Sequence, residues 1–150
     1  VFAHGMVFLS SGFDRATAMG IKLGGRGNVT DTHLVWEIKK GAPHTPSMIS
    51  AGDDIFMVSD GGIASCVEAR TGKSHWQERL GGSFSASPIL SGNRIYFINE
   101  AGVVKIIAAT KEFNLLATND LDERTLASPA VSGDALFIRT AEHLWRFEKK

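Results

Sequence analysis

The chain has little of what would place it in a specialised class of protein. Its 150 residues include one cysteine, Cys66, which cannot form an internal disulfide and which we interpret as a small buried hydrophobe. No apolar run approaches the roughly 18 residues of a membrane-spanning helix, so we expect no membrane span. Val1 does not open a charged segment that leads into an apolar stretch, so an export signal would have to lie upstream. We therefore expect neither a disulfide scaffold nor a membrane-spanning helix in this chain, and the single cysteine leaves its redox compartment undetermined.

An excess of charge of one sign is also missing. Sixteen lysines and arginines balance sixteen aspartates and glutamates. Domains that bind nucleic acids or anionic membranes usually carry a basic patch or stripe, so we expect neither as a partner. The content of 43% hydrophobic and 21% charged residues is that of an ordinary globular protein.

Sequence patterns that carry catalysis or metal binding are absent as well. No histidine has another at the i, i+2 or i, i+4 spacing of metal ligands, so we interpret all five as surface or turn residues: His4, His33, His44, His75 and His143. The loop Gly24–Gly27 lacks the Gly-Lys-Ser/Thr ending of a phosphate-binding loop. No serine lies in a Gly-x-Ser-x-Gly elbow. The sequence therefore predicts neither a catalytic residue nor a metal site.

What the sequence does contain is one pattern repeated at intervals of about forty residues. Short apolar runs occupy Asp54–Ser59, Arg94–Asn99 and Ala135–Thr140, each after a Thr-Pro or Ser-Pro pair. The prolines of these pairs are spaced 42 and 41 residues apart: Pro46, Pro88 and Pro129. Self-similarity at this spacing is typical of propellers, solenoids and other arrays, in which each unit buries its apolar face against its neighbours.

The composition of the repeated runs predicts strands. They are rich in Ile, Val, Phe and Tyr and hardly alternate, as in Ile55–Val58, so both faces should be covered. The intervening segments are too short for the crossover helices of a parallel sheet, which leaves sheets stacked on sheets. We predict an all-β propeller segment of about four blades, each with four antiparallel strands A to D. The alternative at 111–126 is a short helix.

The strand pattern divides the chain into blades at about 1–40, 41–81, 82–122 and 123–150. Val1 falls inside an A strand and the last blade lacks a D strand, so we expect the C-terminal part of a ring of about seven or eight blades. The rest of the propeller chain, or a second copy of this chain, would then cover the two apolar end faces.

One segment carries a family resemblance. Residues 65–76, Ser-Cys-Val-Glu-Ala-Arg-Thr-Gly-Lys-Ser-His-Trp, resemble the repeat of the pyrroloquinoline-quinone (PQQ)-like β-propellers, commonly written Tyr-Ala-Leu-Asp-Ala-x-Thr-Gly-x-x-x-Trp. Trp36 stands forty residues before Trp76, and Leu116 stands forty after it, so we expect Leu116 to replace the tryptophan in blade 3. The resemblance implies four structural residues that join neighbouring blades: Trp36, Trp76, Thr71 and Gly72.

The resemblance implies two functions. One branch of the family comprises quinoprotein dehydrogenases, which hold PQQ with calcium and often contain a disulfide between adjacent cysteines; this chain has no Cys-Cys pair. Another branch is non-catalytic and uses the propeller as a docking platform. We favour a non-catalytic binding scaffold in an exported bacterial protein, periplasmic or extracellular, with no cofactor in this segment. The alternative is a fragment of a PQQ-dependent dehydrogenase that oxidises alcohols or sugars, with PQQ and calcium as cofactors.

Loops at one rim of such a scaffold are where binding residues concentrate. The register places several charged or polar residues at strand ends or in the B–C and D–A turns, which share one rim. Five of them are our candidates for contacting a protein or small-molecule ligand at the rim or axis: His44, Asp60, Glu100, Arg124 and Arg139.

Overall fold

A computed structural model describes residues 1–12 and 14–148, and these form four antiparallel sheets, which we call blades 1 to 4. Within each blade the strands are hydrogen-bonded in chain order. Blade 1 contains β1 (Phe2–Ala3), β2 (Met6–Ser11), β3 (Thr17–Lys22) and β4 (Leu34–Ile38). Blade 2 contains β5 (Ile49–Ala51), β6 (Asp54–Val58), β7 (Ile63–Glu68) and β8 (Ser74–Arg79). Blade 3 contains β9 (Ile89–Ser91), β10 (Arg94–Ile98), β11 (Val103–Ala108) and β12 (Leu115–Asp120), and blade 4 contains β13 (Ala130–Ser132), β14 (Ala135–Arg139) and β15 (Leu144–Glu148).

The predicted all-β fold of four-stranded blades is confirmed, and the alternative of a helix over 111–126 is wrong because that segment contains β12. The sequence did not predict a short helix, α1 (Thr30–His33), which lies in the long C–D loop of blade 1. No helix within residues 1–12 and 14–148 is long and apolar enough to cross a membrane.

The B strands explain why their sequences fail to alternate. In a strand, successive side chains point to opposite faces of the sheet. Ile55 and Met57 of β6 belong to the apolar cluster shared with blade 1, whereas Phe56 and Val58 belong to the cluster shared with blade 3. All five residues of β6 are buried. A middle blade therefore needs apolar residues at consecutive positions, because each of its faces is covered by a neighbouring sheet.

Two tryptophans join the first three blades. The Trp36 indole of blade 1 stacks on Phe8 with ring centroids 5.8 Å apart, and its Nε1 donates to the Ala69 carbonyl of blade 2 at 2.8 Å. A Cβ added at Gly72 of blade 2 would lie 2.7 Å from Cγ of the same indole, and Gly72 has a φ of +71°. Glycine is thus required there both by the backbone conformation and by the approach of the ring.

The second tryptophan repeats this arrangement one blade further on. Trp76 of blade 2 donates its Nε1 to the Thr110 carbonyl of blade 3 at 3.1 Å, and Phe113 of blade 3 packs edge-on against it at 5.2 Å. Thr71 stays within its own turn, where its hydroxyl donates to Glu68 at 2.5 Å and accepts from the Lys73 amide at 3.2 Å. Each of these two joints, as we call the contacts between neighbouring blades, therefore combines apolar packing with a hydrogen bond from the indole to the next blade.

The structure corrects the expected register in blade 3. Strand C of each blade pairs with strand D so that Gly20 faces Trp36, Cys66 faces Trp76 and Ile106 faces Ala117. Ala117, and not Leu116, occupies the tryptophan position. The reason is a longer C–D turn: the closing hydrogen bond joins residues 68 and 73 in blade 2 but residues 108 and 114 in blade 3, one residue more. Leu116 falls in the irregular part of β12 and is 46% exposed.

A second correction concerns the prolines. Strand pairing places Ile49, Ile89 and Ala130 at one repeat position, opposite equivalent residues of the B strands. The residues just before them are Met48, Pro88 and Pro129, so Pro46 lies two residues earlier than the repeat position expected for it. The A strands are also shorter than predicted. The equivalent serines instead bond from blade to blade, with the Ser47 amide donating to Ser87 Oγ at 3.0 Å and the Ser87 amide to Ser128 Oγ at 2.9 Å.

The joint between blades 3 and 4 has a smaller core than the other two. Among the described residues, the cluster between blades 1 and 2 contains eleven buried apolar residues and that between blades 2 and 3 contains ten. The cluster between blades 3 and 4 contains four: Ala86, Ile98, Val104 and Ile138.

The corrected register leads to a mutational prediction. We expect Trp76→Ala to lower the free energy of unfolding by about 3–5 kcal/mol, because it removes a buried indole from the joint between blades 2 and 3. We expect Leu116→Ala to change it by about 0.5 kcal/mol or less, since that side chain is exposed. Urea unfolding followed by circular dichroism measures both variants. A comparable loss in Leu116→Ala would show that Leu116, after all, fills the tryptophan position.

The burial of Cys66 allows us to predict the reactivity of its thiol. Cys66 is fully buried, and that burial, together with the nearby charge of Asp54, raises the pKa of its thiol to about 12. The thiolate is the reactive form, so the folded chain should not react with Ellman's reagent at mildly alkaline pH. The same reagent should titrate one thiol after unfolding in urea. Rapid reaction of the native chain would contradict the burial of this residue.

Candidate functional site

The D–A loops and the B–C turns meet at one edge of the sheets, which we call the rim (residues 41–48, 59–62, 81–88, 99–102, 121–129 and 140–143). Loop and turn are joined by the same backbone hydrogen bonds in successive blades. The Phe84 amide donates to the Asp60 carbonyl at 2.9 Å, and the Thr125 amide donates to the Glu100 carbonyl at 3.1 Å. The rim is therefore a bonded framework, in which the backbone polar groups of the loops have partners.

His44 and Asp60, two of the predicted site residues, are in direct contact. The Asp60 carboxylate accepts hydrogen bonds from the His44 amide at 2.7 Å and the Thr45 amide at 3.2 Å. Partial burial acts to raise the pKa of Asp60, but these hydrogen bonds outweigh it and the pKa is lowered. The exposed His44 ring has its Nδ1 3.0 Å from the Gly12 carbonyl, so the imidazole bridges blades 1 and 2.

Glu100 holds the position in blade 3 that Asp60 holds in blade 2. Its Oε1 accepts a hydrogen bond from Ser85 Oγ at 2.5 Å, and its amide donates to the Ser83 carbonyl at 2.8 Å. Both carboxylates therefore anchor the loop that enters their own blade. They also leave negative charge at equivalent places on the rim.

The two predicted arginines lie in blade 4 and its entry loop. Arg139 ends β14, and its guanidinium donates to the carbonyls of Thr140, Ala141 (3.0 Å) and His143 (3.2 Å) in the following turn. Arg124 is exposed, and its carbonyl accepts from the Ala141 amide at 2.9 Å. Both arginines thus flank the same turn at the rim.

The sequence did not predict a second polar group beside these arginines. Glu123 Oε1 lies 2.9 Å from His143 Nδ1, and its other oxygen accepts from the Thr140 hydroxyl. These hydrogen bonds, led by that from Thr140, lower the pKa of Glu123. The Trp145 indole also donates to Thr140 Oγ at 2.9 Å. Glu123 and His143 are twenty residues apart and belong to no motif, so only the fold brings them together.

A further pair missed by the sequence lies away from the rim in blade 2. The buried carboxylate of Asp54 accepts a hydrogen bond from the His75 ring, with Oδ1 and Nε2 2.9 Å apart. Asp54 is the first residue of β6 and lies at the opposite end of that strand from the B–C turn. Its evident role is to satisfy a polar group inside the blade.

The His, Cys, Asp and Glu side chains of the described residues do not cluster. Within residues 1–12 and 14–148, no three His, Cys, Asp or Glu side chains converge to form a metal site. A calcium ion is usually held by about six to eight oxygen ligands. The acidic rim residues Asp60 and Glu100 accept hydrogen bonds from neighbouring loops.

The lowered pKa of Asp60 predicts how the stability of the fold depends on pH. A lowered folded-state pKa means that the ionised form stabilises the fold above the unfolded value of 3.8, and that this contribution is lost as pH falls through the lower folded value. Asp60→Asn should therefore destabilise the chain at neutral pH, and the difference from the parent chain should shrink below about pH 4. Urea unfolding over a pH series measures it. Asp134→Asn, which changes an exposed carboxylate, is the matched control; a pH-independent difference for Asp60→Asn would contradict the proposed role of its charge.

Solved structures similar to this chain are β-propellers of differing function. The chain is similar to BamB from Moraxella catarrhalis, with a TM-score of 0.73 and 12% identity over 98% of this chain and 46% of that one. It is similar to the computationally designed Ika4 protein, with a TM-score of 0.72 and 13% identity over 98% and 87% of the two chains. It is also similar to a europium-containing methanol dehydrogenase, with a TM-score of 0.59 and 13% identity over 77% and 23%.

These similarities establish the fold, and they also show what fraction of each relative's length this chain spans. It spans less than half the length of BamB and about a quarter of that of the methanol dehydrogenase. None of the curated proteins is significantly similar to it in sequence. A family model described as "Outer membrane protein assembly factor BamB" matches residues 27–142, well over half of the chain. The chain therefore belongs to this BamB-like family of PQQ-like β-propeller repeat proteins.

Proposed function

We propose that the chain is a non-catalytic docking module that binds a protein partner through its rim. The observation that carries the proposal is the repeated loop-and-turn framework, which fixes exposed charged side chains at one edge of the sheets. His44, Arg124 and Arg139 are all exposed there, and the backbone beneath them is hydrogen-bonded between loop and turn. A surface fixed in this way loses little conformational freedom when it binds, which favours affinity.

The family match also supports a cellular location for this function. The matched family model is described by an outer membrane protein assembly factor. We infer that this chain, too, works in the periplasm or outside a bacterial cell, as part of an assembly of proteins. The rim carries both signs of charge, with Asp60 and Glu100 in blades 2 and 3 and with Arg124 and Arg139 at blade 4. Such a surface suits a polar protein partner, which these charges would orient during encounter.

A second candidate function follows from the similarity to a europium-containing methanol dehydrogenase. In this alternative the chain is part of a PQQ-dependent dehydrogenase of alcohols or sugars. PQQ and its metal would supply the redox chemistry, and their ligands would come from outside the described residues. The rim would then shape the approach to the cofactor instead of binding a protein.

Site-specific photo-crosslinking tests the rim. A photoreactive residue placed at His44, in the cell of origin, should give a discrete adduct with a partner protein that mass spectrometry identifies. The same residue at Lys73, in the C–D turn at the opposite edge of blade 2, is the control and should give no such adduct. Arg124→Glu combined with Arg139→Glu should reduce the His44 adduct about tenfold or more if the arginines help to bind the partner.

Two results would overturn the docking proposal. The first is an equal yield of the same adduct from His44 and Lys73, since the rim would then have no special role. The second is sustained dye reduction when PQQ, calcium and an alcohol or sugar are added to the purified chain, because turnover would make it an enzyme.

A further inference from the structure

The three joints between neighbouring blades are not filled alike. In the first two, an indole from strand D lies between the sheets and bonds to the next blade, as described for Trp36 and Trp76. In the third joint the equivalent residue is Ala117. Tyr96 stands there at the position of Phe8 and Phe56, the rings on which the other indoles pack.

A cleft of about 930 Å³ lies between blades 3 and 4. Tyr96 and Ile106, which occupy the strand positions that contact the indoles in the other joints, form part of its wall. This volume is at the upper end of the range of about 300–1,000 Å³ typical of ligand pockets. The cleft therefore has room for a large side chain together with the backbone that carries it.

The opposite wall of the cleft is aromatic and held in place. Trp145 and Phe147 of β15 lie parallel, with ring centroids 6.1 Å apart and an interplanar angle of 7°. The Trp145 indole is fixed by its hydrogen bond to Thr140 Oγ. Phe147 is 41% exposed, so a ligand ring that covers it would remove apolar surface from water. Rings that are already oriented also bind with a small entropy cost.

Carboxylates outnumber basic residues around the cleft. Asp120, Asp122 and Asp134 line it, and Arg94 is the basic residue among its described walls. Glu148 also lines it but is paired with Arg146 at 2.5 Å. The chain as a whole is neutral, so this local excess of carboxylates favours a cationic ligand.

We propose that the cleft between blades 3 and 4 binds an extended polypeptide segment that inserts an aromatic side chain, with a lysine or arginine beside it. The inserted ring takes the place that Trp36 and Trp76 fill in the other joints, and the flanking cation meets the carboxylates at the mouth. This inference rests on the proposed docking function and adds a second contact place to it, between blades instead of at the rim.

Peptide titration of the purified chain tests the proposal. The probe is an acetylated and amidated Gly-Lys-Trp-Lys-Gly peptide, and binding is followed by NMR shifts of backbone amides. We expect shifts centred on Tyr96, Ile106 and Trp145. Replacing the peptide's tryptophan with alanine should weaken binding about tenfold or more, as for loss of a buried aromatic anchor. Replacing its lysines with glutamates should weaken it about threefold or more, and added salt should reduce that difference.

Two variants at adjacent positions localise the effect. Ala117→Trp should fill the joint, raise the melting temperature and weaken binding of the tryptophan peptide about tenfold or more. Leu116→Trp places the same side chain one residue away, in the exposed irregular part of β12, and should leave both quantities unchanged. If Ala117→Trp does not fold, Asp134→Lys replaces it: this exposed turn residue should weaken binding about threefold or more without altering the melting temperature.

Several outcomes overturn the inference. These are no binding of the tryptophan peptide, equal binding of the alanine peptide, or amide shifts that fall at the rim. A stable dimer in light scattering, together with slow hydrogen exchange of the amides that line the cleft, would also contradict it. In that case the occupant of the cleft would be a second copy of the chain and not a peptide segment. Rim crosslinks that form while the peptide fails to bind would reject the cleft alone and leave the docking function intact.

Discussion

No blade of this protein can bury its own apolar faces, and this constraint governs the rest of the structure. The B strand of blade 2 shows it most directly, because Ile55 and Met57 pack toward one neighbour while Phe56 and Val58 pack toward the other. The sheet is therefore stabilised by what lies beside it and not by a core of its own. The stability of the chain is therefore distributed over the joints between blades. A joint with few buried residues contributes less stability and leaves apolar surface that can bind a ligand.

The joints also show how a repeated fold divides its residues between structure and recognition. Between blades 1 and 2, Trp36 combines stacking on Phe8 with a hydrogen bond to Ala69, so packing and register are fixed together. At the rim, carboxylates such as Asp60 and Glu100 hold loops by accepting hydrogen bonds from them. The same side chains thus anchor the loops and give the rim its charge. Between blades 3 and 4 the aromatic residues remain, but part of their surface faces an open cleft.

Much of the fold could be predicted because its causes are local. Short, non-alternating apolar runs and the Thr-Gly turn before Trp76 are visible in the sequence and lead to stacked four-stranded sheets. Leu116 was assigned wrongly because a constant spacing of forty residues hides one extra residue in a turn, which only strand pairing reveals. The pair Glu123 and His143 was missed for a different reason: it joins two loops that are distant in sequence. The five rim residues stay predictions as binding residues, although their hydrogen-bond partners are now described.

The longer turn of blade 3 has a consequence for how such arrays diversify. One residue inserted in the C–D turn leaves the pairing of the first three strands unchanged, yet it shifts the outermost strand by one place and brings a different side chain to the next blade. One joint of a tandem array can in this way have a smaller core while the neighbouring joints keep theirs. Small insertions in the C–D hairpins within blades are therefore places to look for new specificity in related repeat proteins.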